Sequence, residues 1–84
     1  MSDLELRHLL SKARDAASGG EDAWHVMSTG EKLAVAMVLN RADWLHEMGY
    51  TIAEAIFRCD SWVPIIPLVE TALRNEELLP MNAS

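Results

Sequence analysis

The stretch "STGEKLAVAMVLN", Ser28 to Asn40, sets Thr-Gly-Glu-Lys in front of seven consecutive apolar residues. A Walker-type phosphate loop needs G-x-x-x-x-G-K-[ST], because backbone amides must curl round the phosphates while a lysine and a hydroxyl reach forward. Here Gly30 is followed by Glu31, whose carboxylate would face the phosphates, and the hydroxyl residues come before the glycine. A helix start accounts for the same letters. Ser28 followed three residues later by Glu31 is a capping box: the hydroxyl accepts from a new backbone amide and the glutamate reaches back to the cap residue's own amide. The stretch therefore predicts a helix over Thr29 to about Leu39. "TGEK" also matches the linker between tandem zinc fingers, but no Cys/His finger pattern flanks it.

The same Ser/Thr-to-Glu spacing occurs at Ser2/Glu5, Ser18/Glu21 and Thr51/Glu54, so the chain is expected to be all-α, a compact single-domain bundle of four to five short helices. The first helix is predicted from Asp3 to Ala17, with Leu6, Leu9, Leu10, Ala13 and Ala17 inward and Ser18-Gly19-Gly20 as its end. Glu21 to Met27 fits two further turns. Asn40 or Asp43 is expected to cap a segment ending at Met48, with one bent helix over Thr29 to Met48 as the alternative. Thr51 opens a helix from Ile52 to Arg58, a turn is expected at Trp62 to Ile66, and Pro67 begins the last helix, which runs to Glu77. The domain is taken as residues 1–79, with 80–84 as a frayed tail.

Leu33, Ala36, Met37, Trp44, Leu45 and Met48 form one stripe, and Val35, Val38, Leu39 and Ala42 a second. A helix apolar on both sides must be covered on both, by its neighbours or by a partner.

Composition narrows the function. The 84 residues are half apolar, enough for one folded domain, and the apolar runs fall far below the roughly 18 residues that span a bilayer. The opening "MSDLELRHLL" lacks the basic, apolar and small-residue regions of a secretory signal, so cytoplasm is the expected compartment. Thirteen acids stand against seven bases for a net charge of −6, with no basic patch to neutralise phosphates, so direct nucleic-acid binding is not expected. Cys59 is the only cysteine, which excludes an internal disulfide, and it reads as a small core residue.

Candidate sites are few. Asp43, His46 and Glu47, at i, i+3 and i+4, share a helical face and form half a metal site at best, since no second His-rich element exists. No metal or cofactor is therefore assigned. Acid–base chemistry would need a histidine beside a carboxylate, and His25, three residues after Asp22, is the first position to inspect. Trp24, Trp44 and Trp62 read most simply as core, and any one left exposed would be a candidate partner contact.

The run "STGEKLAVAMVLNRADWLHEMGYTIAEAI", Ser28 to Ile56, resembles small uncharacterised helical proteins of proteobacterial genomes. That resemblance covers about a third of the chain and implies a bacterial, intracellular helical protein with no activity attached. The leading expectation is a non-enzymatic protein–protein interaction module, self-association as a homodimer included. The alternatives are an acidic inhibitor occupying a partner's nucleic-acid-binding surface and a small enzyme with a His/carboxylate site.

Overall fold

The computed structural model describes residues 3–79; Ser2 of the expected Ser2/Glu5 box and the 80–84 tail lie outside the described residues. Among these there are five α-helices, one 3₁₀ turn and no strand: α1 Asp3–His25, α2 Thr29–Val38, α3 Ala42–Glu47, α4 Ile52–Arg58, the 3₁₀ turn Val63–Ile65, and α5 Ile66–Asn75. The radius of gyration is 11.8 Å, against about 12 Å for a compact chain of this length.

Two capping boxes form as the sequence predicts. In α2, Ser28 N donates to Glu31 Oε1 at 2.9 Å and Glu31 N donates to Ser28 Oγ at 3.3 Å. In α4, Thr51 and Glu54 make the same pair of bonds at 2.9 and 3.1 Å. The box expected at Ser18 does not cap a helix, because Ser18 lies inside α1. The helix runs on through Gly19 and breaks at Gly20, whose φ of 67° and ψ of −151° fall in a region open essentially to glycine alone. Gly19 has a separate reason to be glycine: a Cβ there would lie 2.9 Å from the Ala23 Cβ. The kink redirects Glu21 to His25 as a final turn of α1.

Three helices stop in the same way. Past α2, Asn40 adopts φ 56° while Arg41 N bonds Ala36 O at 2.8 Å; past α3, Gly49 adopts φ 79° while Tyr50 N bonds Leu45 O at 2.9 Å; past α5, Glu77 adopts φ 63° while Leu78 N bonds Leu73 O at 2.9 Å. Each is a Schellman stop, in which a left-handed residue lets the chain satisfy the last carbonyls. Asn40 thus ends α2 rather than capping α3. The cap position of α3 is Arg41, with no side-chain bond, so α2 and α3 are two helices and not one bent one.

α2 sits at the centre and packs against α1, α3, α4 and α5. Leu33, Ala34, Val35, Ala36 and Val38 are all buried, so the two-sided apolar run is covered by its own chain. Ala42, placed on the second stripe by the spacing, is exposed: it opens a short helix that turns away after Asn40. Leu9, Ala13 and Ala16 of α1, Ile65 of the 3₁₀ turn, and Val69 and Leu73 of α5 complete the core, which among the described residues holds no buried polar one. Cys59 joins it as expected, its thiol facing Gly30 O at 3.7 Å, and burial pushes that thiol's pKa up. A raised thiol is a poor nucleophile at neutral pH.

Candidate functional site

Two of the three tryptophans are structural. Trp24 and Trp44 are each 1% exposed and stack at 4.6 Å with an interplanar angle of 26°. A buried indole N–H needs an acceptor, and each has one: Trp24 Nε1 donates to Lys32 O at 2.9 Å and Trp44 Nε1 donates to Glu21 Oε1 at 3.0 Å. The core reading of these two residues holds, and neither is exposed as a partner contact would be: they join α1 to α2 and α3 from inside. Trp62 is half-buried, its ring 6.1 Å from that of His8 on α1. His8 Nε2 lies 2.6 Å from Glu31 Oε2, so the glutamate that caps α2 also reaches α1. The amide of Ser28, ahead of the His8 contact, holds the Glu31 carboxyl below its usual pKa.

The predicted trio on α3 separates. Asp43 is taken by Arg41, which donates Nε to Oδ1 at 3.0 Å and Nη2 to Oδ2 at 2.8 Å, and this bond holds the Asp43 carboxyl below its ordinary range. His46 is exposed in the last turn of α3. Glu47 turns instead to His25, with Nε2 to Oε2 at 3.0 Å. The kink at Gly20 adds Glu21, so that one donor atom each from Glu21, His25 and Glu47 lies within 4.8 Å of the others. One nitrogen and two oxygens are donors that a zinc-type ion accepts. All three side chains are exposed, however, His25 and Glu47 already lie against each other, and Glu21 is engaged with Trp44. The arrangement is explained as a surface histidine–carboxylate contact beside an indole acceptor. Sequence reasoning missed Glu21: a buried Trp44 signals that some acceptor must exist, but the kink at Gly20 decides which residue supplies it.

The least accounted-for surface lies on α4. This helix buries only Ala55, with Cys59 at its end, while Ile52 is 57% exposed, Ile56 46% and Phe57 86%, and Ala53 is exposed as well. At about 100° per residue, Phe57 stands roughly 160° round the helix from both Ala55 and Cys59, diametrically outward. Ala53 and Ile56 lie on one side of it, and Ile52 continues towards a shallow groove of about 180 Å³ that includes Met37 and Leu45. Exposed single hydrophobics elsewhere, such as Leu4, Val26 and Leu68, are ordinary. A run of four on one short helix is the kind of contiguous apolar patch that marks contact sites. The pairs Ile52/Ile56 and Ala53/Phe57 were legible as helical neighbours; the side on which the helix would be covered was not.

No helix among the described residues is long and apolar enough to cross a membrane. Comparison with family models, curated proteins and solved structures gave no match to this chain, so its architecture and surfaces are the grounds for a functional reading.

Proposed function

We propose that this chain is a non-enzymatic helical interaction module that binds a protein partner, its own copies included, through the outward face of α4. The observation that carries the reading is Phe57, 86% exposed on an apolar face that continues to one side of it through Ala53, Ile56 and Ile52. Leaving a phenylalanine in water forgoes on the order of 2 kcal/mol of burial, and aromatic anchors are enriched at binding hot spots. The acidic-inhibitor alternative draws less support: Glu31, Asp43, Glu47, Glu70 and Glu76 each face a basic side chain or histidine of the same chain. The enzyme alternative rests on His25 and Glu47, whose contact lies exposed on the surface. A bacterial cytoplasmic setting belongs to the proposal on the resemblance of Ser28 to Ile56 alone.

Affinity capture of the tagged chain from its native lysate, nuclease-treated, tests this. A stoichiometric protein should be retained at about 0.5 M salt, where exposed charge pairs are screened, and lost with Phe57→Asp. Retention by Phe57→Asp would discard the α4 face as the contact surface, and release by salt alone would move the reading to the acidic inhibitor.

A further inference from the structure

We infer that the occupant of the α4 face is a second copy of this chain, docked as an antiparallel α4–α4 pair about a two-fold axis near Ile56. This rests on the reading of α4 as the contact surface and adds who sits there and in which direction. The charges beside the patch argue for it. On the helical wheel Glu54 and Arg58 lie about 60° and 100° from Phe57 on the flank opposite Ala53 and Ile56. Glu54 turns one oxygen back to the Thr51 amide, and Arg58 is paired with no carboxylate among the described residues. An unpaired guanidinium thus borders an uncovered phenylalanine.

An isologous two-fold presents the same patch on both copies. For antiparallel helices such an axis sets like flanks side by side and reverses their direction. With the axis at the level of Ile56, a position two residues before it meets a position two residues after it. Glu54 of each copy then faces Arg58 of the other, twice, while Ile56 meets Ile56 and the two Phe57 rings, one residue from the axis, meet across the centre. A parallel pair would instead set the Glu54/Arg58 flank of one copy against the Ile52/Ile56 flank of the other, leaving charges against apolar side chains. The same residues therefore select the antiparallel direction.

Area sets the strength. Ile52, Ile56 and Phe57 together offer on the order of 400 Å² per copy, about half of what a standard-sized interface buries on each side. The association is accordingly weak, with a mass that rises over roughly 10 µM to 1 mM rather than a permanent dimer.

Sedimentation equilibrium of the full chain over that range, at about 0.15 M salt, is the test. The wild-type mass should rise towards twice the monomer, and Phe57→Ser should stay monomeric with unchanged far-ultraviolet circular dichroism. Glu54→Arg and Arg58→Glu bring like charges together when alone, so each should self-associate at least several-fold more weakly. Mixed together they should associate again, because each then faces the opposite charge on its partner. A monomer at 1 mM would overturn the second-copy inference while leaving the contact reading standing if Phe57 still governs capture of another protein. Self-association indifferent to Phe57 would overturn both, and failure of the mixed pair to associate would overturn the antiparallel direction.

Discussion

Gly20 is where side-chain identity is most tightly dictated by backbone. Its φ of 67° with ψ of −151° is closed to residues with a Cβ, although nothing lies within 4 Å of where that Cβ would be. The cost of Gly20→Ala is therefore conformational, about 1–3 kcal/mol, and urea unfolding should register it. Gly19→Ala fails for another reason, the 2.9 Å approach to Ala23. Glu21, delivered by that kink, accepts the Trp44 indole N–H. Glu21→Ala should lower stability by about 1 kcal/mol by leaving a largely buried donor without its partner, whereas Glu21→Gln, which keeps an acceptor, should recover most of that loss. Comparing the two by thermal melts separates the hydrogen bond from the charge.

The helices start by rule and stop by conformation, and the difference decides what could be read in advance. Ser28/Glu31 and Thr51/Glu54 declare themselves in the letters, since a hydroxyl and a carboxylate at fixed spacing have a defined job. Asn40 and Glu77 do not, because a left-handed residue is recognised from sequence mainly when it is glycine. Glu77 holds φ 63° with a Cβ, so Glu77→Gly should raise stability by about 0.5–1 kcal/mol, read as an increased urea midpoint. Glu31 gives a pH dependence. Its folded pKa lies below the ordinary 4.5 because its carboxylate accepts from the Ser28 amide, so the folded chain binds fewer protons than the unfolded one near that pH. The stabilisation is present above the ordinary value and is lost as pH falls through it towards the lowered one. Glu31→Gln, which can still cap without titrating, should lose less stability than the wild type between about pH 6 and pH 3.

α2 shows how a fully apolar element is resolved. The stripes on its two sides were legible, but whether neighbours or a partner covered them depended on the path of the chain after Gly20 and Asn40, two turns of direction that periodicity does not encode. The structure wraps α2 and leaves α4 uncovered instead, so the candidate contact surface lies on a helix that sequence reasoning had mapped without assigning it a role. The site residues divide in the same way: His25 and Glu47 meet, Asp43 and His46 do not, and two of the three tryptophans are core, as their letters most simply read. Stability should follow this geography. Leu33→Ala, at 0% exposure in the centre, should cost about 3–5 kcal/mol, a large share of the roughly 4–12 kcal/mol expected for a domain of this length. Phe57→Ser should change stability by no more than about 0.5 kcal/mol, and paired thermal melts check the contrast.

The stacked Trp24 and Trp44 also give the protein an optical signature of its own. Two indoles held 4.6 Å apart in the interior share a rigid, chiral environment that near-ultraviolet dichroism detects and that vanishes when fixed packing is lost. Trp62, half in solvent beside His8, reports separately on the first turns of α1. Light absorbed by three native side chains can therefore follow the joint at the core and the rim of the bundle independently, with no label attached.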